Sequence, residues 1–568
     1  MKLKGILKKL DKSIFIIIIS VTIMLSHLFL RGAILGHDSL THMFRIVSLS
    51  QNIVNGDIFG KIGFNYINGY GYATGIFYPQ FNLYLSAIIY SFIKNVSIAL
   101  KVYIYFNTIL AGIIMHRYLK RKVKSNTALI GSLIYVLSPY CYIQLMFRGA
   151  IGEMAIFVSL PLIFWGVDKI INREKYGNLF VIMGGINILQ SHIISTVYVC
   201  VFILIYLLLN YNKILNRGVI IDLIKAFILI ILLSLYFLIP LIEHYKIGGY
   251  NILNGKDDPS SSIIYFSQLF FHNGQNAGNV DGPEISEELS YVISILIVGI
   301  NICLPYVYSN MKKDKKDKDA LKYLFMGIIP IFMMCCPFVW GHFDIFDKIQ
   351  FPWRLLSFVV FFLSISGSYI FDEFKIGDNQ FPVILFCFLI VSFIQLNNYI
   401  VNTPTHEKLD FDLYSITSKQ IIDNENKYLF KALGGANDYL PAETTIDYII
   451  NRGSSLVVVE GKLTKIDNYK IEKGKLSAYI EASKNTKVEL PFIYYLGYSV
   501  KLNNNKISYY KNKNGFIEIN LNNEISGILT VEYNGTIISR ISNYISIITL
   551  IILVFYYLFF IKKIKVKC

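Results

Sequence analysis

Tyr78-Pro79-Gln80-Phe81-Asn82-Leu83-Tyr84-Leu85-Ser86-Ala87-Ile88-Ile89-Tyr90-Ser91-Phe92-Ile93-Lys94 decides how the rest of the chain is read. It is apolar enough to suggest a membrane-crossing helix. An α-helix rises ~1.5 Å per residue, so crossing the hydrocarbon core takes ~20 apolar residues. This run is shorter, opens on a proline and carries Gln80 and Asn82 among aromatic rings. It reads as an interfacial helix lying on the outer surface, and 102–118 then becomes the second span.

The surrounding composition requires lipid. The chain has 568 residues, 54% hydrophobic and 15% aromatic, with only 16% charged. At ~100–200 residues per soluble domain it would form several domains, and too few charges remain to coat them. It is also too apolar for disorder or collagen. A net charge of +16 suggests nucleic acid, but the basic residues cluster beside apolar runs, where they set topology. No nucleic-acid partner is therefore expected. The seven cysteines lie almost wholly in or beside apolar runs and form no CxxC or metal-spaced set, which argues against a disulfide framework or zinc site. No small-residue cleavage site follows the first apolar run, so it reads as a retained helix rather than a signal peptide.

Flanking charge orders the spans. Lys2, Lys4, Lys8, Lys9 and Lys12 hold the N-terminus in the cytoplasm and send a first helix (about 13–31) outward. Arg117, Lys120, Arg121, Lys122 and Lys124 form the next cytoplasmic cluster, reached through 102–118 alone if 79–94 stays on the surface. Further spans are expected at about 126–146, 152–171, 178–193, 195–210, 219–242, 289–309, 321–339, 354–371, 382–400 and 542–561. The cytoplasmic connections are then basic or mixed, as in Lys312–Lys322 with six lysines against three aspartates. The expected fold is a polytopic α-helical membrane protein of about twelve transmembrane helices, with both termini inside.

The expected domains are a transmembrane domain over 1–400, an extracellular segment over 401–541, and a final helix with a basic cytoplasmic tail over 542–568. The first carries long outer loops at 32–101 and 243–288. From about Ser454 the pattern changes to short strands such as Leu456-Val457-Val458-Val459 and Phe516-Ile517-Glu518-Ile519-Asn520-Leu521. Asn503-Asn504-Asn505, Lys513-Asn514-Gly515 and Asn534-Gly535 supply turns. A C-terminal extracellular β-sandwich-like module follows.

A charge at the bilayer centre is costly, so depth is informative. The ionisable residues of the spans lie at their ends. Those at the outer ends are His37, Asp38, His42, Arg45, Arg148, Glu153, His192, Glu243, His244 and Arg354. Singly, the arginines can snorkel to headgroups and His192 can be a turn histidine. Six loops bringing carboxylates, imidazoles and guanidiniums to one face instead predict a composite site. If the chain turns helical after Asp38, residues 38, 42 and 45 share a face, offering a general base and an orienting partner. Asp38 and His42 are also candidate ligands for a divalent metal, while capping would account for Asp38 alone. Tyr70, Tyr72 and Tyr78 lie in a glycine-rich stretch able to present stacking faces to a sugar or to form an interfacial aromatic belt. Phe351-Pro352-Trp353-Arg354 sets a guanidinium where it can meet phosphate oxygens.

At these residues the chain resembles the GT-C superfamily of polytopic glycosyltransferases. More closely, Gly36-His37-Asp38 with His42 and Arg45, Gly69-Tyr70-Gly71-Tyr72 with Phe77-Tyr78-Pro79, and Arg148 with Glu153 resemble the bacterial "6-pyruvoyl-tetrahydropterin synthase-related" membrane protein family. Gln350-Phe351-Pro352-Trp353-Arg354 and Tyr439-Leu440-Pro441 extend that likeness. No soluble zinc-histidine cluster for pterin chemistry is present, and no paired Asp-x-Asp stands in the first loop.

The superfamily resemblance implies a polyprenyl-phosphate-linked sugar as donor and an envelope polymer or lipid as acceptor. Asp38 would be the catalytic base. Arg354, with Arg148, would stabilise the departing phosphate, and His42, His192 and Glu153 would orient or bind substrate. The β module would hold the acceptor or cover the site. A transporter or flippase of envelope precursors, or a non-catalytic envelope assembly protein, are the competing readings. Coupled transporters usually carry midplane ionisable residues or paired broken helices, and neither stands out here.

Overall fold

The structure is a computed structural model. It describes residues 11–30, 32–34, 36–65, 67–254, 263–269, 293–305, 307, 315–340, 351–401, 403, 405–406 and 438–565. The expected outer loop 243–288, the basic segment around Lys312 and most of 401–453 lie partly or wholly outside these residues. Helix covers at least part of every one of the twelve expected apolar runs.

Among the described residues, five helices are long and apolar enough to cross a membrane: Val96–Leu119, Ile151–Ile171, Arg217–Ile247, Pro352–Glu373 and Ile537–Phe559. A bent pair, Ser125–Val136 with Pro139–Phe147, makes a sixth if taken as one span, its halves meeting at 47°. The deciding stretch forms a short 3₁₀ turn, Phe81–Leu83, and a ten-residue helix, Tyr84–Ile93. Ten residues rise roughly 15 Å, half of what a crossing requires.

The chain forms two compact units that interleave along the sequence. One comprises 1–39, 100–227 and 256–410, and the other 40–99, 228–255 and 411–568. Composition divides the same chain into 1–400, 401–541 and 542–568. The first outer loop and the end of helix Arg217–Ile247 share a unit with the β module. Long-range packing, invisible to local composition, makes that difference.

In the first unit, helix Leu356–Glu373 is buried along almost its whole length. Helices Ser125–Val136, Ile156–Ile171 and Lys315–Cys335 pack against it. Small residues permit close approach: a Cβ on Gly166 would lie 2.6 Å from Val181 N and 2.8 Å from Gly177 O. Pro161 stands inside Ile156–Ile171 and removes the N–H that the Phe157 carbonyl would have accepted. The Tyr135 hydroxyl donates to that carbonyl at 3.0 Å instead. Near the far end of the same helix, Asp168 accepts from Lys122 Nζ at 2.6 Å and Tyr118 OH at 3.0 Å, and also from Tyr206 OH. This buried knot ties together the ends of several helices.

In the second unit, Pro240 interrupts helix Arg217–Ile247 and orphans the Tyr236 carbonyl. Buried Lys61 fills the vacancy by donating its Nζ there. Burial holds its ammonium well below the ordinary lysine range, at about 7, with partial relief from Asp57. Helix Ile537–Lys565 exposes Ile537, Ile541, Tyr544, Ile548, Ile552, Phe555 and Phe559, an apolar stripe suited to lipid.

The strands in chain order are β1 (Ala33–Ile34), β2 (Thr405–His406), β3 (Val457–Glu460), β4 (Leu463–Glu472), β5 (Lys475–Ala482), β6 (Thr486–Ile493), β7 (Tyr498–Leu502), β8 (Asn505–Lys506), β9 (Tyr509–Lys511), β10 (Phe516–Leu521) and β11 (Ile525–Tyr533). β1 and β2 make a two-stranded pair in the first unit. The module has two antiparallel sheets, β3-β6-β10-β9 and β4-β5-β11-β7-β8. Leu476, Ala478, Ile480 and Ala482 alternate inward on β5, as do Tyr498, Val500 and Leu502 on β7. Asn503 and Asn504 take positive φ (48° and 66°) between β7 and β8, the backbone that a tight hairpin needs.

Candidate functional site

The first unit builds its polar centre at the broken span. Ser138 caps the short helix Pro139–Tyr142 by accepting from Cys141 N at 3.3 Å, with Pro139 in the first turn. A single π turn, Ile143–Phe147, follows, closed by Arg148 N donating to Ile143 O at 2.9 Å. Such turns add a residue to the helix and re-aim the side chains beside it. Gly149 then takes φ +58°, and the chain re-enters helix at Ile151.

Glu153 lies at the centre. Arg148 Nη1 donates to its Oε2 at 2.5 Å and Arg354 Nε to its Oε1 at 2.5 Å. Gln144 Nε2 adds a bond to Oε2 at 3.0 Å, while Gln144 Oε1 accepts from Arg148 Nη1 at 2.7 Å. His192 Nε2 stands 3.8 Å from Glu153 Oε1. Its Nδ1 accepts from the backbone N of Ser195 at 3.1 Å, so the ring proton belongs on Nε2, facing the carboxylate. The Arg148 guanidinium lies over the Trp353 ring at 4.1 Å, and Trp353 stacks on Phe351 at 4.9 Å. All four charged or titratable members are buried. One carboxylate between two guanidiniums leaves the quartet with a formal charge of +1 when His192 is neutral.

Residues 36–39 dock on this centre through backbone. His37 N donates to Phe147 O at 2.9 Å and Asp38 N to Arg148 O at 2.8 Å. Gly36 is required by the closeness: a Cβ there would stand 2.6 Å from Phe147 O. Asp38 is half-buried and precedes helix Ser39–Val54 directly. Asp38, Arg148, Glu153, His192 and Arg354, distant in sequence, thus belong to one unit. Arg148 and Arg354 are buried and carboxylate-bound.

The other expected residues fall in the second unit, in separate places. His42 and Arg45 follow on the helix, with Arg45 Nη1 3.1 Å from His42 Nδ1. Guanidinium only donates, so that ring nitrogen accepts and is taken. Arg45 Nη2 also donates to Tyr78 O at 3.3 Å and Pro79 O at 2.6 Å, and its Cζ lies 4.1 Å over the Tyr78 ring. Tyr70 and Tyr72 are buried rather than open stacking faces. Tyr70 OH donates to Gly453 O at 2.7 Å with its ring against Phe516, and Tyr72 packs on Tyr439. Glu243 accepts from Thr536 Oγ1 at 2.8 Å, at the start of the last helix. His244 donates from Nδ1 to Pro240 O at 2.7 Å and accepts Leu496 N on Nε2 at 3.2 Å. These two fasten the β module to the helix.

Among the described residues, no group of three or more His, Cys, Asp or Glu side chains is placed to hold a metal ion. Sequence reading missed Gln144, and it quoted Trp353 in the motif before Arg354 without its place over Arg148. For Gln144 a signal was available: a glutamine four residues before Arg148, in an otherwise apolar and aromatic stretch.

Residues 76–260 match the family model of the 6-pyruvoyl-tetrahydropterin synthase related domain, a membrane protein. Of the motifs that carry the resemblance, Phe77-Tyr78-Pro79, Arg148 and Glu153 lie within the matched residues. An uncharacterized protein of Lactococcus lactis subsp. cremoris (strain MG1363) is 26% identical over 585 residues, covering 92% of this chain and 91% of that one. The crystal structure of ArnT from Cupriavidus metallidurans bound to undecaprenyl phosphate is similar over 68% of this chain, at 13% identity and TM-score 0.40. The chain spans 64% of that protein's length, less than two thirds.

Proposed function

We propose that this multi-pass membrane protein is a glycosyltransferase that moves a sugar from a polyprenyl-phosphate donor to a cell-envelope acceptor on the outer face, with both termini cytoplasmic and the β module extracellular. One observation carries the reading: two buried guanidiniums converge on a single carboxylate, in the unit where the Asp38 backbone is bonded to Arg148.

In this reading Asp38 removes the proton from an acceptor hydroxyl, whose oxygen attacks the anomeric carbon. The bond from that carbon to the phosphate oxygen breaks, and the electron pair leaves with polyprenyl phosphate. The excess positive charge around Glu153 favours that developing anion, because preorganised charges act strongly in a dry site. Glu153 and Gln144 fix the arginines, and Trp353 holds the plane of Arg148. His192 faces the same carboxylate oxygen as Arg354. No step above is routed through a divalent metal.

Proteoliposomes containing the chain, a polyprenyl-phosphate radiolabelled sugar and envelope polymer supply the test. Asp38→Asn is expected to abolish transfer while leaving insertion and melting temperature unchanged. Full transfer by that variant removes Asp38 as the base. Ion-coupled solute flux without transfer would favour a transporter instead.

A further inference from the structure

The second unit contains a buried hydroxyl that the proposed chemistry does not use. Tyr250 is 2% exposed, and its OH has no hydrogen-bond partner among the described residues. Leaving such a group unpaired costs roughly 1–3 kcal/mol. Its position is not accidental: the strand-like bridge to Pro441, the Asn251 N–H bond to Leu440 O and the ring stack on Tyr495 at 5.8 Å all hold it. The residues beside it reach the surface: Ala442 N donates to Gly249 O at 2.9 Å, and Lys511 Nζ lies 3.1 Å from where a Cβ on Gly249 would stand.

Those neighbours form an amphipathic rim. Tyr494 and Tyr509 are half-buried, with ring centroids 5.9 Å apart. The exposed Glu443 carboxylate accepts from Lys511 Nζ at 2.7 Å. A second buried, unpartnered hydroxyl, Thr444 Oγ1, lies against Gly515, whose carbonyl receives the Tyr494 N–H. Half-open tyrosine faces and an ion pair, on the segments that also carry two unpaired hydroxyls, match one chemical class. A pyranose has an apolar face of C–H bonds to lie on the rings and an edge of hydroxyls to meet the polar groups.

We propose that Tyr250, Thr444, Tyr494, Tyr509, Glu443 and Lys511 form a carbohydrate-binding site on the β module. If the chain is the transferase proposed above, the bound saccharide is its acceptor, but the site itself does not depend on Asp38.

The test uses the full chain in nanodiscs, free of sugar-headed detergent, with cellohexaose, maltohexaose and chitohexaose as probes. Saturation-transfer NMR reads binding. At least one hexasaccharide is expected to bind, with transfer to its ring protons. Tyr250→Phe keeps the ring and removes only the hydroxyl, and is expected to weaken binding about fivefold to tenfold; Tyr494→Ala should weaken it more. Asp38→Asn should bind as the unmodified chain does, which separates failure of this site from failure of the transferase reading. No binding by any of the three probes overturns the proposal. So does binding that neither Tyr250→Phe nor Tyr494→Ala alters, with the hydroxyl then satisfied by trapped water alone.

Discussion

Replacing Glu153 with glutamine tests the electrostatic centre most directly. The substitution keeps shape and one acceptor oxygen but deletes the negative charge between Arg148 and Arg354, each bonded to it at 2.5 Å. At an effective dielectric near 20, unit charges ~4 Å apart interact by about 4 kcal/mol, and desolvation offsets much of this. Removing one partner from a buried pair costs about 3–5 kcal/mol, because the other charge is left uncompensated. Here two charges are stranded, so Glu153→Gln should lie at the upper end. At about 1–2 °C per kcal/mol for a unit of this size, the melting temperature should fall by roughly 5–10 °C. Arg354→Gln leaves Arg148 and Glu153 as a balanced pair and should cost less. The double variant should lose less than the sum of the two, by about 1–3 kcal/mol, since it relieves the repulsion that Glu153→Gln creates. Thermal unfolding of the purified protein in nanodiscs measures all three. A Glu153→Gln chain melting within about 2 °C of wild type would refute the reasoning, as would strict additivity.

Gly36→Ala should displace the turn carrying His37 and Asp38, since its Cβ would meet Phe147 O at 2.6 Å; transfer should drop at least tenfold in the proteoliposome assay while the protein still accumulates. Tyr135→Phe leaves the Phe157 carbonyl, already denied its helical partner by Pro161, without its hydroxyl donor, and should cost about 1–3 kcal/mol in unfolding. Lys61→Met should reverse its effect with pH. The lysine titrates at about 7 when folded against 10.5 ordinarily, so the unfolded chain binds more protons between those values and wild-type stability rises with pH across that window. Below pH 7 the burial penalty, at most about 5 kcal/mol, is fully present and the variant should melt higher. By pH 11 the lost bond to Tyr236 O, about 1–3 kcal/mol, outweighs what remains of that penalty, and the variant should melt lower; melts that run parallel from pH 6 to 11 would show that Lys61 carries no such penalty.

Much of the fold could be read locally. Apolar runs announced the helices, and alternation placed β10 at Phe516–Leu521, the same residues as in the structure. The short helix Tyr84–Ile93 was legible because length against bilayer thickness is arithmetic. The candidate site was only half legible. Asp38, Arg148, Glu153, His192 and Arg354 stood out because charge beside apolar helix is expensive. His42, Arg45, Tyr70, Tyr72, Glu243 and His244 stood out for the same reason or for their aromatic setting, and they belong to the second unit.

What the linear order of residues determined is the lipid environment, the helices, the strands and the short list of polar groups that need a reason to be there. Those follow from each segment's own transfer free energy and backbone preferences. Only the tertiary structure decided which polar groups share a partner: that Glu153 lies between two arginines 206 positions apart, that Lys61 answers a carbonyl orphaned by Pro240, and that Tyr250 has no answer among the described residues. A hydrogen bond or ion pair acts over a few ångströms, and chain separation carries no information at that range until packing has set the distances.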